Sequence, residues 1–209
     1  FDRKPPPKRT RESSCNVLAI NPASRRFLQE EGVWSHIAEH QRTPYRDMSV
    51  MDGTGSGSVF FSAEEMGLTE LGHIVDQPAL LAALVEMAQS LDNLRLNWQS
   101  QADFHQGDVP LLVGADGLHS AIRDQLKLRT IGYDYHQTAT VCVARTEEPH
   151  GSCARQWFLT NGPLAMLPLG DRHVVAVVWS SFQSMTGLDD QAFSGELFQA
   201  SEGELGAIV

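Results

Sequence analysis

The sequence predicts an α/β fold in which two units are interleaved, and two observations lead to this prediction. Segments with helical periodicity alternate with strand-sized apolar segments in residues 1–43 and 72–131, as in a sheet with crossover helices. Residues 44–71 and 132–209 instead contain short apolar segments separated by Gly, Pro and Asp turns, which is typical of a mixed or antiparallel sheet. Because each pattern occurs in two separate stretches, we predict one domain from 1–43 and 72–131 and a second from 44–71 and 132–209.

Helices are indicated where a capping residue precedes apolar residues at helical spacing. Asn21 is followed by a proline that suits the first helical position, and Gly32 is expected to divide this region into two short helices. Asp76 is placed to cap a second helix, which also has a proline in its first turn. The same signals predict helices over residues 120–126 and 189–198.

Strands are indicated by short apolar segments between turn residues. The sequence DGTGSG at 52–57 predicts the turn of a β-hairpin within residues 44–61. The remaining predicted strands are 71–75, 111–113, 141–144, 156–159, 164–167 and 174–179, of which 111–113 is expected to be buried.

Composition excludes some classes of function. A net charge of −10 argues against a nucleic-acid partner, because such a protein needs a basic face to replace the counterions of phosphate. Three cysteines suggest a reducing compartment rather than a disulfide framework. His150 and Cys153 have the spacing of a ligand pair but lack two further ligands, so we predict no metal site. No apolar run is long enough to span a bilayer, so we expect a cytoplasmic protein without a transmembrane segment, compatible with peripheral contact at the inner membrane.

The segment LLVGADGLHSAIR, residues 111–123, carries the main functional signal. A strand that runs through a glycine turn into a helix brings backbone N–H groups to the helix N-terminus, which suits phosphate or pyrophosphate. Gly114 and Gly117 allow close approach of a ligand or a positive φ. Asp116 suits a ribose hydroxyl, or a water or cation that bridges to the pyrophosphate. From the turn alone, an ordinary connection between strand and helix explains these residues equally well.

The whole pattern Gly114-Ala115-Asp116-Gly117-x-x-Ser120-x-x-Arg123 resembles the second FAD fingerprint of the flavoprotein aromatic hydroxylases, the group that includes p-hydroxybenzoate hydroxylase. Other stretches resemble one branch of that group, the ubiquinone-pathway hydroxylases of 2-polyprenylphenol rings, and are most similar to the C5 hydroxylase type. These stretches are residues 17–24, 71–77, 146–150, 154–158 and 162–169. The fold implied is an incomplete Rossmann-like FAD-binding domain interleaved with a substrate-binding sheet domain.

The resemblance also implies roles for individual residues in binding FAD. Asp116 would lie near the FAD ribose and pyrophosphate, and Arg123, with Ser120, would hold the turn to its helix. Asp2 matches the acid that binds the adenosine ribose, although a solvated terminal aspartate is the alternative. Gln77 would direct a polar side chain toward FAD, and its alternative is an exposed residue in the first turn of a helix.

Two further positions concern a departure from the family and the substrate. Asn16 stands where the family usually has an arginine that contacts the flavin nucleotide, and Arg9 and Arg11 lie farther upstream. Arg155 and Phe158 would face the aromatic substrate, the arginine steadying a phenolate and the phenylalanine stacking on the ring. An edge-strand arginine and a core phenylalanine are the alternative. No residue is predicted to act as a catalytic nucleophile.

Two motifs of the family are not in this sequence: the Gly-x-Gly-x-x-Gly turn expected before Asp2, and a Gly-Asp motif expected after Val209. The stretch 99–110 also looks short for the pair of strands that the family has there. We therefore expect a piece of an enzyme, truncated at both ends, that binds FAD weakly or not at all by itself.

For the intact enzyme, the resemblance implies that NAD(P)H reduces FAD, and that O2 and the reduced flavin give a C4a-hydroperoxide that hydroxylates the ring of a prenylated phenol. Association with other ubiquinone-pathway enzymes is expected by family analogy. The alternatives are an FAD monooxygenase for a small soluble aromatic compound and a flavin-free homologue that acts as a non-catalytic partner protein.

Overall fold

The computed structural model describes residues 1–8, 14–101, 109–182, 185 and 187–208. It has the predicted α/β composition, with four helices, two short 3-10 turns and nine strands in the described residues. In chain order these are β1 Val17–Ile20, α1 Pro22–Glu30, β2 Arg42–Tyr45, β3 Asp47–Asp52, β4 Ser58–Ser62, β5 Gly72–Asp76, α2 Gln77–Gln89, α3 Ala121–Gln125, β6 Thr138–Arg145, β7 Cys153–Leu159, β8 Gly162–Pro168, β9 Val174–Ser181 and α4 Asp190–Ala200.

The helices begin at the capping residues that the sequence indicates. The Asn21 side chain accepts a hydrogen bond from Ser24 N at 2.8 Å, and Asp76 Oδ1 accepts one from Ala79 N at 2.9 Å. Asp189 caps α4 in the same way. Gly32 has φ +75° directly after α1, and the chain continues into a 3-10 turn. The predicted division into two short helices is therefore confirmed, because a left-handed glycine ends the first of them.

Six strands form a large mixed sheet in the order β4-β3-β7-β8-β9-β6, in which only β3 and β7 run parallel. One face of this sheet packs against α4 and the segment that follows it. The buried side chains of that core include Trp157, Leu164, Val177 and Trp179 from the sheet and Leu197 from α4. Removing this apolar surface from water stabilises the sheet on that face.

Three strands form a small antiparallel sheet in the order β1-β5-β2. Strand β5 is buried along its whole length, and α2 packs on it through Ala79, Leu80 and Ala83. On its other side the small sheet meets one end of the large sheet, where Ile74 packs against Leu169 and Ala176. The small sheet therefore covers only one end of the second face of the large sheet.

One sequence-based expectation about strands is wrong. Residues 111–113 form no strand, and Leu111 and Val113 are 78% and 71% exposed rather than buried. An extended segment becomes a strand only when a neighbour satisfies its backbone groups, and no described strand pairs with this one. The hairpin predicted within residues 44–61 is confirmed as β3 and β4, which are joined by a turn at 53–57. Pro44 and Tyr45 lie outside it, because they belong to β2 and pair with β5.

Candidate nucleotide-binding site

A cleft of about 720 Å³ lies between the N-terminal residues and the predicted nucleotide-binding segment. This volume is within the range of small-molecule and cofactor sites. The residues that line it are Phe1, Asp2, Arg3, Lys4, Ser100, Gln101, Leu112, Val113, Ala115, Asp116, Gly117, Ala121 and Ile122. Two acids that the sequence singles out from opposite ends of the predicted domain thus line one cavity.

Asp2 is held in the cleft by its backbone although it is near the first residue of the chain. Its N–H donates to Asn97 O at 2.8 Å, its carbonyl accepts from Ser100 N at 3.0 Å, and it forms a parallel bridge with Trp98. The carboxylate accepts a hydrogen bond from Lys4 N at 2.7 Å through Oδ1. This fixed backbone positions an acid in the cleft, as a ribose-binding acid requires.

Asp116 uses its carboxylate to bind the start of α3. Oδ1 accepts from Ser120 Oγ at 2.5 Å, and Oδ2 accepts from Ala121 N at 2.7 Å and from Ile122 N at 3.3 Å. The hydrogen bond from Ser120, followed by those from the backbone, lowers the pKa of Asp116, so that it is ionised at neutral pH.

These contacts change the interpretation of the helix N-terminus. Arg123 N donates to Ser120 Oγ at 3.0 Å, so the first N–H groups of α3 are already bonded within the chain. A phosphate would have to displace Asp116 to reach them, and the sequence-based expectation that this helix start receives pyrophosphate is not supported by the geometry.

Arg123 and the two glycines have structural roles in the same turn. Arg123 Nη2 donates to Leu118 O at 2.8 Å, which ties the turn to the helix as expected. Gly117 has φ +84°, a conformation that suits glycine. A Cβ on Gly114 would lie 3.3 Å from Ile122 Cγ2, so this glycine allows the chain to approach α3 closely.

Arg3 and Lys4 are cleft residues that the sequence reasoning missed, because segment 3–12 looks like an exposed basic loop. The available signal was their position directly after the predicted ribose-binding acid. Two cations beside an acid are what a phosphorylated sugar needs, since the acid accepts hydroxyl hydrogen bonds and the cations attract phosphate. Arg9 and Arg11 lie outside the described residues.

Gln77 is not brought to the cleft. It is the first residue of α2 and is exposed, and its N–H donates to Asn16 O at 2.9 Å. The structure therefore groups Asp2 and Asp116 and leaves Gln77 beside Asn16, at a distinct place in the fold.

Arg155 and Phe158 lie on opposite faces of the large sheet, since successive side chains of a strand alternate between faces. The Arg155 side chain is 13% exposed and lies on the core face, where Nε pairs with Glu204 Oε1 at 2.9 Å and Nη1 donates to His150 O at 2.8 Å. Phe158 is 52% exposed on the other face. The two residues therefore cannot contact one substrate together.

The face that carries Phe158 is apolar and only partly covered; we call it the open face. Strand register places on it exposed side chains from β4, β6 and β7 and half-buried side chains between them. The exposed members are Val59, Phe61, Val141, Val143 and Phe158. An uncovered apolar face of this kind suits an apolar ligand better than a charged one.

His150 is structural. Its Nε2 lies 3.0 Å from Leu169 O, and its Nδ1 accepts a hydrogen bond from Ser152 N at 3.0 Å, so both ring nitrogens bind the backbone. Burial lowers the pKa of His150 and keeps the ring neutral. Among the described residues, no group of three His, Cys, Asp or Glu side chains is placed to hold a metal. The part of the chain that the structure describes also has no helix long and apolar enough to cross a membrane.

The chain is similar to curated proteins named ubiquinone biosynthesis monooxygenase COQ6, mitochondrial. It is 29% identical to that of Danio rerio over 86% of this chain and 43% of the relative, and 26% identical to that of Homo sapiens over 86% and 44%. The chain thus spans less than half the length of these relatives. No family model matches it. These similarities confirm the resemblance to the ubiquinone-pathway hydroxylases that the sequence indicates.

Solved structures show the same fold at low sequence identity. The chain matches PqsL, described as a probable FAD-dependent monooxygenase from Pseudomonas aeruginosa, with a TM-score of 0.63 and 14% identity over 82% of this chain and 51% of that one. It matches p-nitrophenol 4-monooxygenase PnpA from Pseudomonas putida with a TM-score of 0.63 and 13% identity over 94% and 54%. The predicted fold class is therefore confirmed.

The sequence comparisons also bear on the stretch that looks short. The alignments with relatives from Xenopus tropicalis and Synechocystis run over 221 and 225 positions, more than the 209 residues of this chain. These relatives therefore carry internal residues without a counterpart here. Most of the stretch 99–110 lies outside the described residues, so the place of the difference stays a prediction.

Proposed function

We propose that this chain, a relative of the ubiquinone-biosynthesis monooxygenases, is part of an FAD-dependent monooxygenase that hydroxylates the ring of a prenylated phenol. The observation that carries the proposal is the cleft shared by Asp2 and Asp116, together with the similarity to the COQ6 proteins. NAD(P)H is the reductant that we propose, and O2 the second substrate. Because a prenylated phenol is held in a membrane, the enzyme would act at the surface of that membrane.

The cleft residues fit the nucleotide half of FAD. Asp2 offers a carboxylate for the hydroxyls of a ribose, and Arg3 and Lys4 offer positive charge for the pyrophosphate. Leu112, Val113 and Ile122 supply apolar contacts for a base. Asp116 acts indirectly, because it holds the turn and α3 in place rather than presenting free oxygens.

When bound, FAD would supply the oxygen-activating chemistry, and the residues of this chain would orient the ligands and exclude water. The open face would form the apolar wall of the substrate site, with Phe158 against the aromatic ring. Arg155 has no place in that wall, because its guanidinium is bound to Glu204 and to backbone carbonyls on the core face.

Titration of the chain with FAD and with ADP, followed by flavin fluorescence and calorimetry, tests the nucleotide site. We expect weak, saturable binding of FAD that ADP competes away and that Asp2→Asn weakens at least about tenfold, as the loss of a charged ribose contact predicts. Asp92→Asn, an exposed acid away from the cleft, serves as the control.

The outcomes separate the alternatives. If the chain alone binds neither nucleotide, a chimera in which it replaces the matching segment of the Danio rerio relative decides. A chimera that fails to bind FAD would overturn the site and favour a flavin-free partner protein, which the unformed strand at 111–113 also supports. Stoichiometric yellow protein after purification would contradict the expectation of weak binding.

A chimera also tests the substrate. In it, this chain replaces the matching segment of the Danio rerio relative, and the chimeric enzyme is assayed with prenylated and unprenylated phenols. Preference for the unprenylated phenol would favour a small soluble substrate instead.

A further inference from the structure

Strand β4 is an edge strand with no residue that discourages pairing. It forms one border of the large sheet, bonds to β3 on one side, and has no strand on its outer side in the described part of the chain. Its sequence, Ser-Val-Phe-Phe-Ser, contains no charge and no proline, and its ladder with β3 has no bulge. Natural edge strands usually carry such features because they prevent association.

The strand is also apolar on both faces. Val59 and Phe61 are 52% and 40% exposed on the open face, and Phe60 is 57% exposed on the other. Met66 and Leu68 follow in the next turn and are 52% and 50% exposed. By contrast, the other edge strand, β6, ends at Arg145, and its continuation at 146–148 bonds to the segment 205–208.

The alternation of hydrogen-bonded and non-bonded pairs along the β3–β4 ladder shows which backbone groups of β4 point outward. Ala63 N donates to Arg46 O at 2.9 Å and Asp52 N donates to Gly57 O at 2.8 Å, just beyond the two ends of the β3–β4 ladder. Because bonded and non-bonded pairs alternate in an antiparallel ladder, Val59 and Phe61 bond to β3. The N–H and C=O groups of Ser58, Phe60 and Ser62 therefore point away from the sheet.

We propose that β4 pairs with β4 of a second copy of this chain, antiparallel and with Phe60 on the twofold axis. This register places Phe60 opposite its own counterpart, Ser58 opposite Ser62, and Val59 opposite Phe61. The Phe60–Phe60 and Ser58–Ser62 pairs can form hydrogen bonds, because the backbone groups of these residues point outward. The Val59–Phe61 pairs are non-bonded pairs, in which side chains lie closest together.

The register matches chemistry as well as geometry. It creates aromatic–aromatic and aromatic–β-branched pairs, both of which stabilise a sheet. The remaining pairs are between serines, and no like charges face each other. A second copy is the occupant that this strand fits best, because β4 is complementary to itself in this register, as a twofold axis requires. The open face would then continue from one copy into the other through Val59 and Phe61.

The small size of the interface indicates how strong the dimer should be. A single pair of five-residue strands is small compared with the roughly 1,600 Å² of a standard stable interface, so we expect a weak dimer. Sedimentation velocity over a concentration series of the purified chain measures its dissociation constant. Phe60→Lys places two like charges on the axis and should raise the dissociation constant at least about tenfold.

A matched control is Phe27→Lys, which makes the same change at a residue on α1 that is 60% exposed and far from the edge strand. It should leave the dissociation constant unchanged. Circular dichroism of both variants should match the parent chain, since both positions are already exposed.

Cross-linking tests the register. Phe60→Cys brings two thiols to a directly opposed pair, about 5.5 Å apart at Cα, which a disulfide can bridge. Ser58→Cys places its two copies four positions apart, beyond that reach, and should not cross-link. Mass spectrometry separates a 60–60 disulfide from any bond of Cys15, Cys142 or Cys153. A chain that stays monomeric at all concentrations, or a dimer that is insensitive to Phe60→Lys and lacks the 60–60 disulfide, would overturn the proposal.

Discussion

Ser120 Oγ lies between two partners, because it donates to Asp116 Oδ1 at 2.5 Å and accepts from Arg123 N at 3.0 Å. This one hydroxyl connects the glycine turn to the first turn of α3. The helix has only five residues and buries none of them, so hydrogen bonds rather than packing hold it in place. The wall of the candidate nucleotide cleft therefore depends on a local capping network.

Ser120→Ala should loosen this wall. It removes a cap and the main partner of Asp116, and an N-cap of this kind contributes about 1 kcal/mol. We expect faster amide hydrogen exchange at residues 121–125 and little change in the global unfolding midpoint. His119→Ala, at the exposed neighbouring position, is the control and should leave exchange unchanged. Equal exchange in both variants would show that the hydroxyl does not hold the helix.

The same network should depend on pH. The pKa of Asp116 is lowered in the folded chain, so the contact is present above the ordinary carboxyl pKa and is lost as the pH falls through the lowered value. Amide exchange at 121–125, corrected for its intrinsic pH dependence, should therefore lose protection on acidification. Asp116→Asn should show the lower protection already at neutral pH, and an acid-insensitive parent chain would contradict this assignment.

The sequence predicts the helices and the large sheet well because their signals are local. Asn21, Asp76 and Asp189 cap helices through side chains close in the sequence. The error at 111–113 has a different cause, since a strand needs a partner whose position is not encoded in its own residues.

The site was predicted only in part, because some of its residues carry local signals and others depend on contacts distant in the sequence. Asp2 and Asp116 carry a motif or a position that sequence can show, and they line one cleft. The orientation of the Arg155 side chain depends on its bond to Glu204, which is 49 residues away and gives no local signal. The predicted strand 156–159 leaves Arg155 outside, whereas β7 begins at Cys153 and so includes it. Within one strand, residues three positions apart lie on opposite faces, which separates Arg155 from Phe158.

Arg155 should matter for stability rather than for substrate. Its guanidinium binds Glu204, His150 O and Cys153 O, joining β7 to the segment after α4. Arg155→Gln should lower the free energy of unfolding in urea by about 1.5–3 kcal/mol, the range for hydrogen bonds to charged groups. Glu204→Gln should cost less, because that side chain is more exposed and leaves the backbone contacts intact. A stable Arg155→Gln chain that loses binding of a phenol would return this residue to the substrate site.

His73 should make the fold sensitive to mild acid. Its ring is buried edge-on to Trp34 with centroids 5.0 Å apart, its Nδ1 lies 3.7 Å from Glu70 Oε1, and Glu70 pairs with Arg25. Burial, and then the charges of Arg25 and Arg42, lower the pKa of His73 to about 4. Between pH 4 and the unfolded value of 6.5, the unfolded chain binds more protons, so stability falls as the pH falls through this window.

Urea unfolding at several pH values measures this effect. The shift corresponds to at most about 3 kcal/mol between the ends of the window. His73→Gln, which cannot titrate, should flatten the dependence on pH, whereas His136→Gln, at an exposed position, should not. The same slope in the His73→Gln chain and the parent would assign the acid sensitivity to other groups.

Phe158 offers the sharpest test of the open face. Its ring is 52% exposed, so Phe158→Ala removes little packing and should change the free energy of unfolding by less than about 1 kcal/mol. If this face is the wall of the substrate site, the same change should weaken binding of a prenylated phenol by about tenfold, the equivalent of losing part of one buried aromatic contact. Phe27→Ala, on α1 and similarly exposed, is the matched control for both measurements. Equal affinity in the two variants would place the substrate elsewhere, while a large loss of stability in Phe158→Ala would show that the ring supports the sheet itself.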